Sequence, residues 1–456
     1  MPARAGGGTA VVSGSAAAQA PFSGRVAQSI YERLTDEEDA RVCRDIPEDA
    51  CRETPANFSL ILGSSFLSKL GDAIASPKTV LPWVMSTVGA PLALTGLLVP
   101  LRESGSLIPQ LFIAGFVRRH PLRKGFWVAG SVLQALAVAA IGGVAMVGNG
   151  AVAGWAVVGL LALFSLARGL CSVAHKDVLG KTIPKSKRGQ LTGWSASAAG
   201  IVTIGVGAAL MLAGGPGGGE SSTFGAMIVC AGALWVGAAL LFALVREFPG
   251  ETSGGGNAFF EALRRLDILK TDPAFRRFVL TRALFLSSAL SAPYLVVMAQ
   301  QHGASGAQTL GLFVVASGVA SMVSGPVWGR MADRSSRRVM VLAATVTAAV
   351  GFGVYGAAVL APALLAGSWF LPLAYLVLSV GHDGITVGRK TYVVDLAGGN
   401  RRTDYVAVSN SLIGVLLLGF GALSAALGAL GAPTVVLALS ACGAAGAALG
   451  RTLPEA

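Results

Sequence analysis

Eight ionisable side chains stand inside stretches of this chain that are otherwise apolar. FLSKLGDAIASPKTVLPW carries Lys69 and Asp72 near its centre, and GLLVPLRESGSLIPQ carries Arg102 and Glu103 at a similar depth. Arg168, Arg282, His382 and Asp383 sit in three further apolar runs, and His175, Lys176 and Asp177 close the run that holds Arg168. In hydrocarbon each such group costs about 2.5–3.5 kcal/mol on insertion scales, so it marks function by default. The chemistry within reach is proton carriage and anion binding. Asp72, Glu103 and Asp383 are candidate proton carriers, because burial and neighbouring cations move a carboxyl group's affinity for protons in opposite directions. His382 is a further candidate, since an imidazole's ordinary pKa lies in the working range. Arg102, Arg168 and Arg282 suit a carboxylate or phosphate gripped by paired hydrogen bonds. Lys69 and Asp72, three apart on one helix face, are expected to pair with each other. Adjacent Arg102 and Glu103 must point apart, one toward a cavity and one toward a neighbouring helix.

Other chemistries find no support. His175 and His382 lie far apart in sequence with no nucleophile or metal constellation around either. No G-x-x-x-x-G-K-[ST] loop exists, so no nucleotide site and no cofactor are expected. Neither a disulfide nor a metal is expected at Cys43 and Cys51, which lack a matching pair or a nearby histidine. No secretory signal opens the chain.

The elements that must position these charges are membrane spans. The mean hydropathy is +0.67, with 53% hydrophobic and 13% charged residues, too apolar for a water-soluble globule. Spans of roughly 20 apolar residues are read at 57–85, 92–117, 125–147, 153–178, 190–213, 223–245, 277–300, 308–329, 339–360, 368–390, 405–426 and 433–450. The intervening loops alternate in charge. One set carries Arg118, Arg119, Arg123 and Lys124, then Lys181, Lys185, Lys187 and Arg188, then Arg330, Arg334, Arg337 and Arg338, then Arg389, Lys390, Arg401 and Arg402. The other set (86–91, 148–152, 214–222, 301–307, 361–367 and 427–433) contains no Lys or Arg. Positive loops belong inside, which places both termini in the cytoplasm and makes the net charge of +12 topological, not a nucleic-acid footprint. Trp83, Trp155 and Trp369 at outer ends and Trp127, Trp194 and Trp328 at inner ends are expected in the headgroup layers, with Trp235 the exception.

A shift of 214 residues lays the second half on the first without gaps: Gly115 on Gly329, Arg123 on Arg337, Lys124 on Arg338, Trp155 on Trp369, Lys176 on Lys390, Arg188 on Arg402, and Gly200, Gly205 and Gly207 on Gly414, Gly419 and Gly421. Parallel repeats of this kind place a site near mid-membrane between the halves. The expected organisation is a mostly disordered region 1–54, a six-helix bundle 55–246, a linker 247–275 with an amphipathic surface helix, a second bundle 276–450 and a tail 451–456.

GRMADRSSRR (Gly329 to Arg338) resembles the loop signature of the major facilitator superfamily, G-x-x-x-D-[RK]-x-G-[RK]-[RK]. Gly329, Asp333, Arg334, Arg337 and Arg338 match, and Ser336 stands where Gly is usual. The first copy, GFVRRHPLRK, keeps Gly115, Arg123 and Lys124 but has Arg119 in place of the acidic residue. The resemblance implies an all-α fold of twelve transmembrane helices in two parallel six-helix repeats, with spans one, four, seven and ten lining a central cavity. It also implies a gate in which Asp333 meets a helix end, with Arg389 its expected partner. Helix five has glycines but lacks the Gly-Pro signature of many drug exporters in that superfamily. The expectation is a monomeric, non-enzymatic secondary transporter in a bacterial inner membrane, moving a small solute by alternating access with proton coupling. The alternative is a non-transporting receptor or assembly protein that kept the fold.

Overall fold

The computed structural model describes residues 25–34, 46, 48–213, 221–250, 252, 265–303, 306–332, 334–397 and 402–455. Among these residues every regular element is helical. Asp333, the acidic residue of the expected gate, and most of the expected linker helix lie outside the described residues. Helix α1 (Arg25–Leu34) lies near the N-terminus, within the region 1–54, and is followed by a short α2 (Glu48–Arg52). Cys51 is disulfide-bonded, against expectation, whereas Cys171, Cys230 and Cys442 are free thiols.

Among the described residues ten helical stretches are long and apolar enough to cross a membrane, and two further crossings are built from broken helices. Crossing one is α3 (Thr54–Ile74) plus α4 (Val80–Thr87), and crossing two is α5 (Leu92–Leu107) plus α6 (Gln110–Val117). Proline explains both breaks. It has no N–H and disfavours helix at the preceding residue, and Pro77 and Pro109 stand in the two gaps. Crossings three to six are α7 (Lys124–Val147), α8 (Gly150–Thr182), α9 (Lys185–Ala213) and α10 (Ser221–Ala243). Crossing seven joins α11 (Pro273–Leu284) to α12 (Leu286–Gln301). Crossings eight to twelve are α13 (Ala307–Ala332), α14 (Ser336–Leu360), α15 (Phe370–Ala397), α16 (Arg402–Leu427) and α17 (Ala432–Gly450). The chain is an integral membrane protein.

Packing repeats with the sequence. The halves meet chiefly through crossing two against eleven and crossing five against eight, pairs that the 214-residue shift exchanges. Small residues permit the second contact. A Cβ on Gly207 would lie 2.7 Å from the Val315 nitrogen and 2.8 Å from the Gly311 oxygen, and one on Gly311 would lie 2.6 Å from the Gly207 oxygen. Hydrogen bonds also join the halves, from Ser104 Oγ to the Gly414 oxygen (2.7 Å) at mid-depth and from Gln300 Nε2 to the Trp83 oxygen (3.3 Å) at the neutral-loop end. Crossing seven is the most enclosed, with 89% of its apolar window buried. It touches crossings one, two, ten, eleven and twelve, so it serves both halves.

At the basic end each half is closed by a carboxylate that follows its last crossing. Glu247 accepts the backbone N–H groups of Arg123 (2.8 Å) and Lys124 (2.7 Å) and an ammonium bond from Lys181 (3.1 Å). A carboxylate at a helix N-terminus answers both the free N–H groups and the helix dipole. Glu247 thus supplies the negative charge that the first signature loop lacks at Arg119. In the second half Glu455 takes this position: Ser335 Oγ donates to it at 2.9 Å, Arg337 pairs with it, and Arg338 lies 3.7 Å away. The Ser335 hydroxyl and the two guanidinium groups hold the Glu455 carboxyl below its ordinary range. Of the tryptophans expected in headgroup layers, Trp155, Trp194 and Trp369 are exposed, but Trp83, Trp127 and Trp328 are buried. Trp83 packs edge-on to Phe224 and Trp127 stacks on Phe242, so these three are core side chains.

Candidate functional site: a charged cavity between the halves

The ionisable groups at membrane depth form two assemblies. The first lies within the first half. Asp72, on crossing one, accepts from Arg102 Nη2 at 2.8 Å and from Arg168 Nη1 at 2.5 Å, tying crossing one to crossings two and four. The Arg102 guanidinium also lies 5.0 Å over the Phe164 ring. Lys69 does not take Asp72 as its partner. One turn away on the helix it reaches crossing five, donating to Ser195 Oγ (2.7 Å) and the Thr192 oxygen (3.0 Å). Lys69 and Asp72 share a helix face, but the expected pair is replaced by two ties in different directions, because guanidinium groups from two other crossings hold Asp72 while Lys69 reaches crossing five.

The second assembly surrounds a cavity of about 540 Å³ between the halves. Crossing ten contributes His382, Asp383, Arg389 and Lys390, and crossing seven contributes Arg282. The first half contributes Glu103 and Lys78. Adjacent Arg102 and Glu103 have divided as their spacing requires, one to Asp72 and one to the cavity. Arg282, only 8% exposed, donates to Ser409 Oγ (2.6 Å) and Asn410 Oδ1 (2.8 Å) on crossing eleven, while its Nε is buried without a partner. Arg389 Nε is likewise buried and unpartnered. Arg389, the expected partner of Asp333, thus lines the cavity, and the remaining gate residues contact elsewhere. Arg337 also donates to the Leu453 oxygen (2.7 Å), Gly329 has open space around it, and Arg334 is exposed. His382 Nδ1 lies 2.9 Å from Ser288 Oγ. A smaller cavity of about 90 Å³ adjoins, sharing Lys78, His382 and Asp383.

The repeat extends into these contacts. Ser195 and Ser409 are 214 residues apart, and each accepts from a cation of the first crossing of its own half, Lys69 or Arg282. Arg168 and His382 are equivalent in the same register, as are His175 and Arg389. Of the cavity's polar lining, Lys390 was read with the basic loops, and Lys78, Thr386 and Asn410 escaped the sequence reading. Lys78 follows the helix-breaking Pro77, and a lysine beside a proline inside a span was the available signal. Asn410 is neutral, and nothing in its composition sets it apart.

No family model matches the chain, and no curated protein matches it in sequence. Its architecture does match solved structures. A nucleoside transporter, NupG, superposes with a TM-score of 0.68 over 88% of this chain and 100% of that one, at 12% identity. The inward-open xylose transporter XylE from E. coli superposes at 0.63 over 88% and 97%, also at 12% identity. The chain has the major facilitator fold. The E. coli fucose:proton symporter FucP superposes less closely, at 0.52 over 88% and 98% with 16% identity. Within this fold, the broken crossings one and two and the unbroken crossing ten all supply side chains to the central cavity.

Proposed function

We propose that the protein is a secondary transporter that moves a small solute by alternating access, coupled to protons. The observation that carries this reading is the 540 Å³ cavity with carboxylates beside cations, set between two pseudo-symmetric halves. A volume of this size suits a small metabolite. The cavity reaches toward Lys390, Val393 and Val406 at the basic end, while the Gln300–Trp83 bond joins the halves at the other. With the basic loops and both termini in the cytoplasm, this is an inward-facing state. Glu103 and Asp383 are the proton carriers in this reading, since each lines the cavity without a guanidinium clamp. Asp72 holds crossings one, two and four together, because a proton landing there strands two guanidinium groups. NupG is a nucleoside transporter, XylE a xylose transporter and FucP a fucose:proton symporter, all carriers of small solutes. The expected monomer and the 55–246 and 276–450 bundles belong to the same proposal.

Alternating access is testable without knowing the solute. Spin labels at Phe116→Cys and Arg330→Cys report the basic end, and labels at Val152→Cys and Ala366→Cys report the neutral end; all four sites are exposed. In liposomes, with the free thiols replaced by serine, a pH change is expected to lengthen one distance as it shortens the other. Distances that stay fixed from pH 5.5 to 7.5 favour the receptor or assembly reading.

A further inference from the structure

The cavity carries more positive than negative charge. Four cationic side chains, Lys78, Arg282, Arg389 and Lys390, face two carboxylates, Glu103 and Asp383. The surplus is two, and protonation of either carboxylate only raises it. Guanidinium groups do not deprotonate in proteins, so the two arginines fix a positive field. Their present partners do not discharge it. Arg282 donates to a hydroxyl and an amide oxygen, both neutral. Among the described residues neither Arg282 nor Arg389 has a carboxylate within 4.0 Å, and each keeps a buried Nε–H without an acceptor. A buried cation without a counter-charge is among the most expensive arrangements in a protein. The first half shows the contrast: its two buried guanidinium groups share Asp72. Among the described residues the second half shows no carboxylate shared in this way.

We infer that the missing counter-charge is the substrate, an organic anion whose carboxylate or phosphate seats between Arg282 and Arg389. This inference rests on the transporter reading and narrows it. The rest of the lining, including Phe285, Leu286, Ile413 and Leu417, is apolar and matches a hydrocarbon or aromatic body. Arg282 Nε and Arg389 Nε supply unspent donors, and Lys390 lies one residue further along crossing ten. Asn410, bonded to Arg282, fixes the orientation of its fork. Lys78 comes from the other half, so an anion that also reaches its ammonium group contacts both halves at once. A neutral sugar or nucleoside leaves the arginines as uncompensated as an empty cavity does, which separates this site from the solutes named for the structural neighbours.

The test uses the detergent-purified full chain and matched pairs of probes: benzoate against benzamide, and phenyl phosphate against benzyl alcohol, with xylose and uridine alongside. Thermal stabilisation is expected from the two anions and not from their neutral partners. The apparent affinity should fall at least tenfold in Arg282→Gln and in Arg389→Gln, while Arg276→Gln, at an exposed position outside the cavity, keeps it. If Arg282→Gln fails to fold, Arg389→Gln and Lys390→Gln read the same site. Equal stabilisation by neutral and anionic probes overturns the anion assignment and leaves the transporter reading standing. So does stabilisation by xylose or uridine alone. Anion stabilisation that survives Arg282→Gln and Arg389→Gln places binding outside the cavity and also overturns it. No shift from any probe up to 50-fold above millimolar, roughly the weak end of metabolite affinity, overturns it too; the spin-label distances then decide separately whether the chain transports at all.

Discussion

Among the described residues Asp72 is the carboxylate at membrane depth held by two guanidinium groups, and its removal should be felt through both. Its side chain is 20% exposed, and those of Arg102 and Arg168 are 12% and 30% exposed. Stranding a buried charge costs about 3–5 kcal/mol, and this partial exposure moves the expectation to about 3 kcal/mol for Asp72→Asn. Arg168→Gln, which leaves Asp72 its bond to Arg102, should cost less, and the charge-balanced double variant Asp72→Asn/Arg102→Gln should recover part of the loss. Melting curves of the purified variants measure the order. A double variant no better than Asp72→Asn would show that charge pairing is not what holds these three crossings together. The sequence disclosed which residues are charged and at what depth, since one ionisable group in twenty apolar neighbours is plain in the letters. It did not disclose partners. Whether Asp72 meets Lys69 on its own helix or Arg168 on another depends on how each helix is rotated about its axis, and that is set by packing over the whole bundle.

At the scale of helices, the contact between crossings five and eight makes a paired prediction. Gly207→Ala puts a methyl group within 2.7–2.8 Å of the backbone of crossing eight, whereas Gly205→Ala, two residues away, meets nothing within 4 Å. Overpacking typically costs about 1–3 kcal/mol, while alanine in a helix interior is favoured over glycine by about 0.8–1.0 kcal/mol. Gly207→Ala should therefore lower the melting temperature and Gly205→Ala should hold or raise it. Equal effects would mean that the two helices can separate at no cost. All twelve crossings were legible from hydropathy and loop charge, because hydrocarbon thickness imposes one length on every span. The breaks in crossings one and two were not drawn, although Pro77 and Pro109 mark them, because a hydropathy window averages across a proline. The tryptophans failed in a related way. Amphipathic rings are favoured at interfaces, but Trp83 and Trp127 find aromatic partners inside the bundle and are drawn there instead.

For the whole molecule, the neutral-loop end is where crossing seven is bonded to crossing one. Gln300 donates to the Trp83 oxygen and lies 3.4 Å from Thr87 Oγ1. Gln300→Ala is expected to move the Val152–Ala366 label distances toward longer values and the Phe116–Arg330 distances toward shorter ones. Unchanged distributions would place the closure elsewhere along that end. The repeat itself was legible, because a shift of 214 residues aligns glycines and basic residues without gaps. The cavity's excess of cations was only half legible, since Arg389 and Lys390 were read with the basic loops and Lys78 was passed over. One consequence of the packing concerns ancestry. In the repeat register crossing eight is a second copy of crossing two, and crossing eleven a second copy of crossing five. The contacts of two with eleven and of five with eight are then one contact made twice, which is the self-complementary pattern of a twofold homodimer. A six-helix ancestor with this surface would have paired with itself, and joining two copies in one chain freed them to differ. They have differed in their charged residues, with His382 standing where the first copy has Arg168 and Arg389 where it has His175, while the serines that brace each copy, Ser195 and Ser409, have stayed the same.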